Sequence, residues 1–178
     1  MTGRRQHQAR SQIHLRLRTR RLELFPCAAQ VAQAAVQGGA DLEPILGARV
    51  PDDWPAVDLL EFLPTYAHQL QADASLLGWG IWLMVHREER TLIGDLGFMG
   101  RPNDEGTVEI GYSVLPAYRR RGFAWEAVRA LVDWGLAQQE VRRIVAECRV
   151  DNGPSIRVLE KAGLRLAQTE GSLLRWET

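Results

Sequence analysis

The spacing of polar and apolar positions changes along the chain, and each spacing predicts an element. Arg21-Leu22-Glu23-Leu24-Phe25 alternates and stops at Pro26, which reads as a short first strand. An alanine-rich run from Ala28 to Val36 ends at Gly38-Gly39 and predicts a helix with a glycine stop. Asp41 to Pro55 is interrupted by Pro44, Gly47, Pro51 and Pro55 and reads mostly as loop. Leu59, Phe62, Leu63, Tyr66 and Leu70 recur at helical spacing, predicting a helix from Ala56 to Ala74 with a kink or break at Pro64. Gly80 to Val85 is an apolar strand, His86 to Arg90 a polar turn, and Thr91 to Met99 its partner strand. The turn-rich stretch Gly100 to Gly106 leads to a third strand, Val108 to Leu115. Short polar turns make the three an antiparallel meander.

The pattern then lengthens. Ala127, Val128, Leu131, Val132, Trp134 and Leu136 form the apolar stripe of a helix from Phe123 to Gln139. Arg143 to Val150 is a strand, so strand, helix and strand make a crossover, expected to be parallel and right-handed. Asp151 to Ser155 is a turn that opens a helix from Ser155 to Ala162, stopped by Gly163. Leu164–Thr169 and Ser172–Trp176 read as a closing hairpin. The sum is a mixed α/β fold: a twisted sheet of about six or seven strands with helices on both faces. Residues 1–18 are expected to be a basic, disordered tail and 19–178 a single domain.

Composition adds three points. With 178 residues, 46% apolar and 25% charged, the chain suits one domain with an ordinary core. No apolar run reaches the roughly 18–20 residues that a membrane span needs, and the basic start lacks a secretory apolar segment, so neither membrane nor export is expected. Cys27 and Cys148 stand among apolar residues and too far apart in sequence to specify a disulfide framework or a metal site. They read as buried thiols, which favours a cytoplasmic location and no metal. The net charge of zero hides an asymmetry. The first 21 residues carry seven arginines and no acid, leaving 15 basic against 22 acidic groups in the rest. The tail reads as a solvated extension rather than a nucleic-acid arm.

One stretch carries the chemistry. Arg119-Arg120-Arg121-Gly122-Phe123-Ala124 follows a strand that ends at Pro116 and opens the long helix. Helix-start amides are unpaired, the helix dipole adds positive charge there, and glycine lets a ligand approach the backbone. Arginine supplies permanently charged donors for phosphate. In that context the stretch is an anion grip.

The stretch EIGYSVLPAYRRRGFAWEAVRALVDW resembles the acetyl-CoA-binding motif of the GNAT superfamily of N-acetyltransferases. DNGPSIRVLEKAGL is similar to the superfamily's second signature. With Arg21-Leu22-Glu23-Leu24, the likeness is strongest to the subgroup of ribosomal-protein N-terminal acetyltransferases. It runs from about residue 20 to the C-terminus. The resemblance implies that acetyl-CoA is held by Arg121, Gly122, Phe123 and Ala124 with Arg119 and Arg120 alongside. It implies that the main chain of Ser113, Val114 and Leu115 pairs with the pantetheine arm, in a slot where strands 108–115 and 143–150 splay apart. A bulge in the first of these strands is a frequent family feature. Asn152 matches a residue that touches the pantetheine, and is equally read as an Asx turn before Pro154. Ser155 matches the proposed general acid of the subgroup, and is equally read as a helix N-cap. The tyrosine acid of many other members falls on Leu159 here, so that route is closed.

The reaction needs a base for the attacking amine. Glu109 matches a frequent family glutamate, and is equally read as an outward strand residue; Tyr112 and Asp95 are weaker candidates. Between Asp41 and Asp73 there are seven acids against Arg49 alone. In this fold that region walls the acceptor site, which suits a cationic amine. The expected function is direct acetyl transfer from acetyl-CoA to a primary amine, on a peptide or protein N-terminus or a small molecule. The alternative is a CoA-binding module without turnover. A homodimer is left open.

Overall fold

One mixed sheet carries the fold. The computed structural model describes residues 15–178. Its strands are β1 (Leu17–Arg18), β2 (Leu22–Pro26), β3 (Ile81–His86), β4 (Thr91–Phe98), β5 (Thr107–Val114), β6 (Arg143–Arg149), β7 (Arg165–Glu170) and β8 (Leu173–Glu177). They lie in the order β1-β2-β3-β4-β5-β6-β8-β7. Neighbours are antiparallel except β5 and β6, whose pairing is parallel, as a crossover requires. The eighth strand is β1, inside the stretch expected to be a tail. It forms because Leu17 and Arg18 pair with Leu24 and Glu23 of β2. The first 14 residues of that expected tail lie outside the described residues.

The helices are α1 (Ala29–Gln37), α2 (Gly39–Leu46), α3 (Val57–Ala72), α4 (Phe123–Leu136) and α5 (Gly153–Ala162). Three of them depart from expectation. Asp41 to Leu46 is helical rather than loop, because Leu42 and Leu46 find burial that outweighs Pro44. The helix closes on Gly47, whose left-handed backbone (φ 58°) lets its amide bond the Glu43 carbonyl. Pro64 does not break α3. It lies on the exposed side, while Leu63, Tyr66, Ala67 and Leu70 bury the other. Helix α5 starts two residues early, at Gly153, because Asn152 caps it: its Oδ1 accepts the Ser155 amide at 3.2 Å.

Alternation divides the sheet into two faces. Trp82 of β3 and Phe98 of β4 pack with Trp79 against Trp134 of α4, with ring centroids 5.3 to 6.0 Å apart. Gly135 is required here: a Cβ would lie 2.8 Å from the Phe98 ring and 2.9 Å from Ile144. Helices α4 and α5 cover this face. The other face, with Leu83 and Asp95, lies under α1–α3, where the Tyr66 ring fills the space above Gly80. Cys27 and Cys148 are free and buried. Among the described residues no helix is long and apolar enough to cross a membrane.

Trp82 is fully buried, and its Nε1–H donates to the Gly78 carbonyl at 2.9 Å. Trp82→Ala is expected to lower the unfolding free energy by about 3–5 kcal/mol, read from a denaturant midpoint. A loss under about 1 kcal/mol would show that the aromatic cluster is not the core.

Candidate active site

The site begins where β5 loses its partner. Parallel pairing with β6 covers only Thr107–Glu109 against Arg143–Val145, yet β5 runs on to Val114 and β6 to Arg149. The two strands therefore splay, as expected. Pairing of β5 with β4 on its other side runs in unbroken register from Ile110 to Val114, so the expected bulge is absent there. Leu115 donates its N–H to Ile93 across β4 at 2.9 Å, and the Glu109 carbonyl accepts from Met99. By the alternation of that ladder, Gly111 and Ser113 turn their backbone groups the same way, while those of Tyr112 and Val114 face the open slot. This shifts the expected main-chain contacts: Val114 offers its edge to a ligand, and Ser113 and Leu115 are engaged with β4. Arg119 Nε donates to the freed Val114 carbonyl at 2.8 Å.

Beyond the strand, Pro116 opens a single 3₁₀ turn to Tyr118. The chain then passes through Arg120 (φ 61°) and Gly122 (φ 80°), both left-handed. Gly122 is the N-cap of α4 and supplies no side-chain cap. Among the described residues the amides of Arg120 to Ala124 have no protein acceptor. Alternating left- and right-handed residues point successive N–H groups into one concavity, and the helix dipole adds to its positive field.

Two networks hold this turn from behind. The Glu126 carboxylate accepts from Thr19 Oγ1 (2.6 Å), Arg21 N (2.7 Å) and Arg21 Nε (2.7 Å). Burial works against its charge, but these bonds prevail and keep its pKa below the ordinary value. The same guanidinium donates to the Arg121 carbonyl at 2.9 Å and lies 4.4 Å from the Phe123 ring centre. On the other side Glu89 accepts from the Tyr118 hydroxyl at 2.7 Å, a bond that lowers its pKa, and pairs with Arg121 at 3.6 Å. Arg121 is thereby drawn away from the cleft, so its side chain is not among the cations lining it.

A cleft of about 850 Å³ opens in front of the turn. It brings together Ser113, Val114, Arg119, Arg120, Gly122, Phe123, Ala124, Asn152 and Ser155 of the expected residues. Leu115, Arg121 and Glu109 do not line it. Tyr112 joins instead, its hydroxyl donating to the Ser155 carbonyl at 3.3 Å and its pKa raised by burial. Trp125, Arg157 and Lys161 also line the cleft, and sequence reasoning missed them. The available signal was helical spacing from Pro154: Arg157, Val158 and Lys161 follow it at i+3, i+4 and i+7 on one side of α5.

The opposite face of the sheet carries carboxylates. Asp95 lies directly across from Ser113, and Gly97 across from Gly111. Glu109 is one step further along β5 on that face, at the apex of the splay. Asp95 accepts from Trp54 Nε1 at 2.9 Å, and burial pushes its pKa up to about 6. The pKa of Glu109 is raised, by burial and then by Glu147, with Arg175 opposing. Of the seven acids in the expected wall, Asp52 and Asp53 stand exposed just before Trp54. Asp73 is spent on Ser75 and Arg101, and Glu43 on the Val50 amide.

Comparison with known proteins agrees with this geometry. The family described as the acetyltransferase (GNAT) domain matches residues 21–165. The chain belongs to the GNAT acetyltransferases. YjdG of Bacillus subtilis (strain 168), an uncharacterized N-acetyltransferase, is 30% identical over 162 residues, covering 91% of this chain and 92% of the relative. The ribosomal-protein-serine acetyltransferase of Escherichia coli (strain K12) is 33% identical over 100 residues, which is 56% of this chain and 54% of that protein. Among solved structures, RimL, a ribosomal-protein acetyltransferase in complex with coenzyme A, superposes with a TM-score of 0.64 at 19% identity, covering 92% of this chain and 97% of that one. The GNAT match spans both the turn at Arg119–Ala124 and the cap at Asn152. The kinship with ribosomal-protein acetyltransferases agrees with the resemblance carried by the same motifs.

Asp95 of this GNAT domain also bears on stability. Its folded pKa exceeds the ordinary carboxylate value, so the folded state holds the proton more tightly, and stability falls as pH rises from about 4 to about 6. Asp95→Asn, which keeps an acceptor for Trp54, is expected to gain about 2–3 kcal/mol at pH 7 and nothing below about pH 4. Thermal denaturation at the two pH values checks this; equal shifts at both would refute the burial cost.

Proposed function

We propose that the cleft holds acetyl-CoA and that its acetyl group passes directly to a cationic primary amine on the Asp95 face of the sheet. The observation that carries the reading is the turn of unpartnered amides opening an 850 Å³ cleft that ends at an unpaired strand edge. The cleft fits the cosubstrate by its chemistry. Arg119, Arg120, Arg157 and Lys161 line it and no carboxylate does, which suits a ligand with anionic phosphates. The amides of Arg121 to Ala124 receive the pyrophosphate, as the motif implies.

Acetyl-CoA supplies the electrophilic thioester. The freed edge of Tyr112 and Val114 aligns the extended arm as an added strand. A backbone N–H turned into the slot also offers a donor to the thioester oxygen without any bulge. Asn152 caps α5 through the Ser155 amide, and in our reading the Ser155 hydroxyl, which lines the cleft, gives its proton to the departing sulfur and regains one from water. On the far face the amine loses its proton to a carboxylate. Asp95 takes it in our reading: Trp54 fixes one oxygen, the other is open, and a pKa near 6 leaves it ionised at neutral pH yet basic enough to accept. Glu109 is the second reading, favoured by its place at the apex of the splay. Ribosomal-protein acetyltransferases among the relatives support a protein N-terminus as acceptor, and the exposed Asp52 and Asp53 beside Trp54 support a positive one.

Two measurements test the reading. Gly122→Asp places a carboxylate where the pyrophosphate sits, at a left-handed position; CoA affinity by calorimetry is expected to fall by more than about 100-fold. Unchanged affinity would remove the turn from cofactor binding. The pH profile of kcat/KM with a peptide or polyamine acceptor is expected to lose its acidic limb near pH 6 in Asp95→Asn. The same loss in Glu109→Gln, with Asp95→Asn unaffected, would move the base to Glu109.

A further inference from the structure

A row of arginines lies outside the cleft, in a stretch expected to be tail. From Leu15 to Arg20 burial alternates: Leu15, Leu17 and Thr19 turn inward, while Arg16, Arg18 and Arg20 are exposed. Alternate residues of an extended chain stand about 7 Å apart on one side. Strand β1 is the edge of the sheet, so the row lies along its rim. The β3–β4 turn brings two more arginines to the same place. Arg87 donates to the Thr19 and Arg20 carbonyls at 2.9 and 3.1 Å, and Arg90 pairs with Glu23 at 3.2 Å. Arg90 is held further by the Leu46 and Gly47 carbonyls. Arg18, Arg20, Arg87 and Arg90 line a shallow depression of about 360 Å³ together with Glu23 and Glu88. It shares no residue with the cleft in front of the anion turn.

Charge is not balanced at this edge. The Glu23 carboxylate is shared by Arg16, Arg18 and Arg90 at 3.7, 3.7 and 3.2 Å. Glu89 of the same turn is engaged by Tyr118 and Arg121 instead. Arg16, Arg18, Arg20, Arg87 and Arg90 therefore meet only Glu23 and Glu88, which leaves an excess of positive charge. The residues that precede Leu15 add Arg4, Arg5 and Arg10 and no acid, so they do not cancel it.

The arrangement selects a kind of partner. Guanidinium forks match phosphate oxygens. A row at strand spacing suits a polymer that repeats its charge along a line, rather than one small anion. No large apolar side chain is exposed between Leu15 and Pro26 or between Ile81 and Phe98, so the surface has nothing to insert into a lipid bilayer. We infer that this arginine edge is an interaction surface for the phosphate backbone of a nucleic acid. Phosphate contacts fix position and carry no sequence information, so the surface tethers the protein rather than reading a site. The inference is independent of the acetyl-CoA reading.

The test is fluorescence anisotropy of the full chain with labelled RNA and DNA of mixed sequence, about 20 nucleotides long, each as single strand and duplex. Binding to any of the four that is indifferent to sequence supports the inference, and the tightest identifies the backbone. Arg16→Gln/Arg18→Gln/Arg20→Gln is expected to bind single strands at least about 10-fold more weakly at low salt. Its slope of log affinity against log salt is expected to be shallower by about 2, because each lost contact removes about 0.7. Unchanged CoA affinity checks that this variant is folded. Glu88→Gln removes the exposed carboxylate from the depression and is expected to tighten binding by about 2- to 5-fold. Equal or weaker binding by Glu88→Gln would overturn the inference, even if the triple variant failed to fold. Affinity and slope that survive in the triple variant would overturn it too, by moving the contact to the residues before Leu15. So would binding to phosphatidylserine vesicles with none to nucleic acid, or no binding by folded wild-type protein.

Discussion

Three residues of parallel pairing govern the architecture. Thr107 to Glu109 bond to β6, and from Ile110 onward β5 has a neighbour on one side only. A sheet interior normally satisfies both edges of a strand, so this break leaves polar backbone that must find another partner. Everything at the site answers to it. Arg119 covers one freed carbonyl, α5 covers the outer wall of the opening, and the turn at Arg120–Gly122 aims further unpaired amides into the same space. A flexible ligand that is a strand-like chain at one end and a diphosphate at the other matches both sets of groups.

The constraint also explains how much could be read beforehand. The meander, the crossover and the closing hairpin were legible because apolar alternation and turn residues are local signals. The anion turn was legible for the same reason: Arg-Arg-Arg-Gly between a strand and a helix is local chemistry. What escaped was set by tertiary contact. Helix α2 forms against Pro44 because Leu42 and Leu46 are buried. Arg121 turns away from the cleft because Glu89, on the β3–β4 turn, competes for it. Asp95 owes its raised pKa to burial that the tertiary fold creates, and it is held by Trp54, 41 residues away, with no spacing rule connecting the two. The two backbone directions along β5, which separate Val114 from Ser113 and Leu115, follow from the strand's register with β4.

Charge is divided by the sheet. One face presents arginines, a lysine and helix-start amides to the cleft; the other presents Asp95 and Glu109 beneath an acidic approach. The slot between β5 and β6 is where the two fields meet. In the proposed reading an anionic donor and a cationic acceptor approach opposite sides of the same opening, and the strand edge stands between the phosphate-binding cations and the carboxylates. Neither set of charges neutralises the other, because the sheet stands between them.

The bonds from Arg21 to Glu126 and Arg121 join positions about 100 residues apart in the chain. Contacts of such separation form late, since closing a long loop costs entropy before it is rewarded. During synthesis Arg21 is made long before the turn it holds. The cofactor grip therefore cannot mature on a partial chain: strand β2, the meander and helix α4 must already be assembled. A nascent molecule that ends before α4 would lack the contacts that shape the turn, so the form of the turn reports assembly of the chain from Arg21 through Glu126.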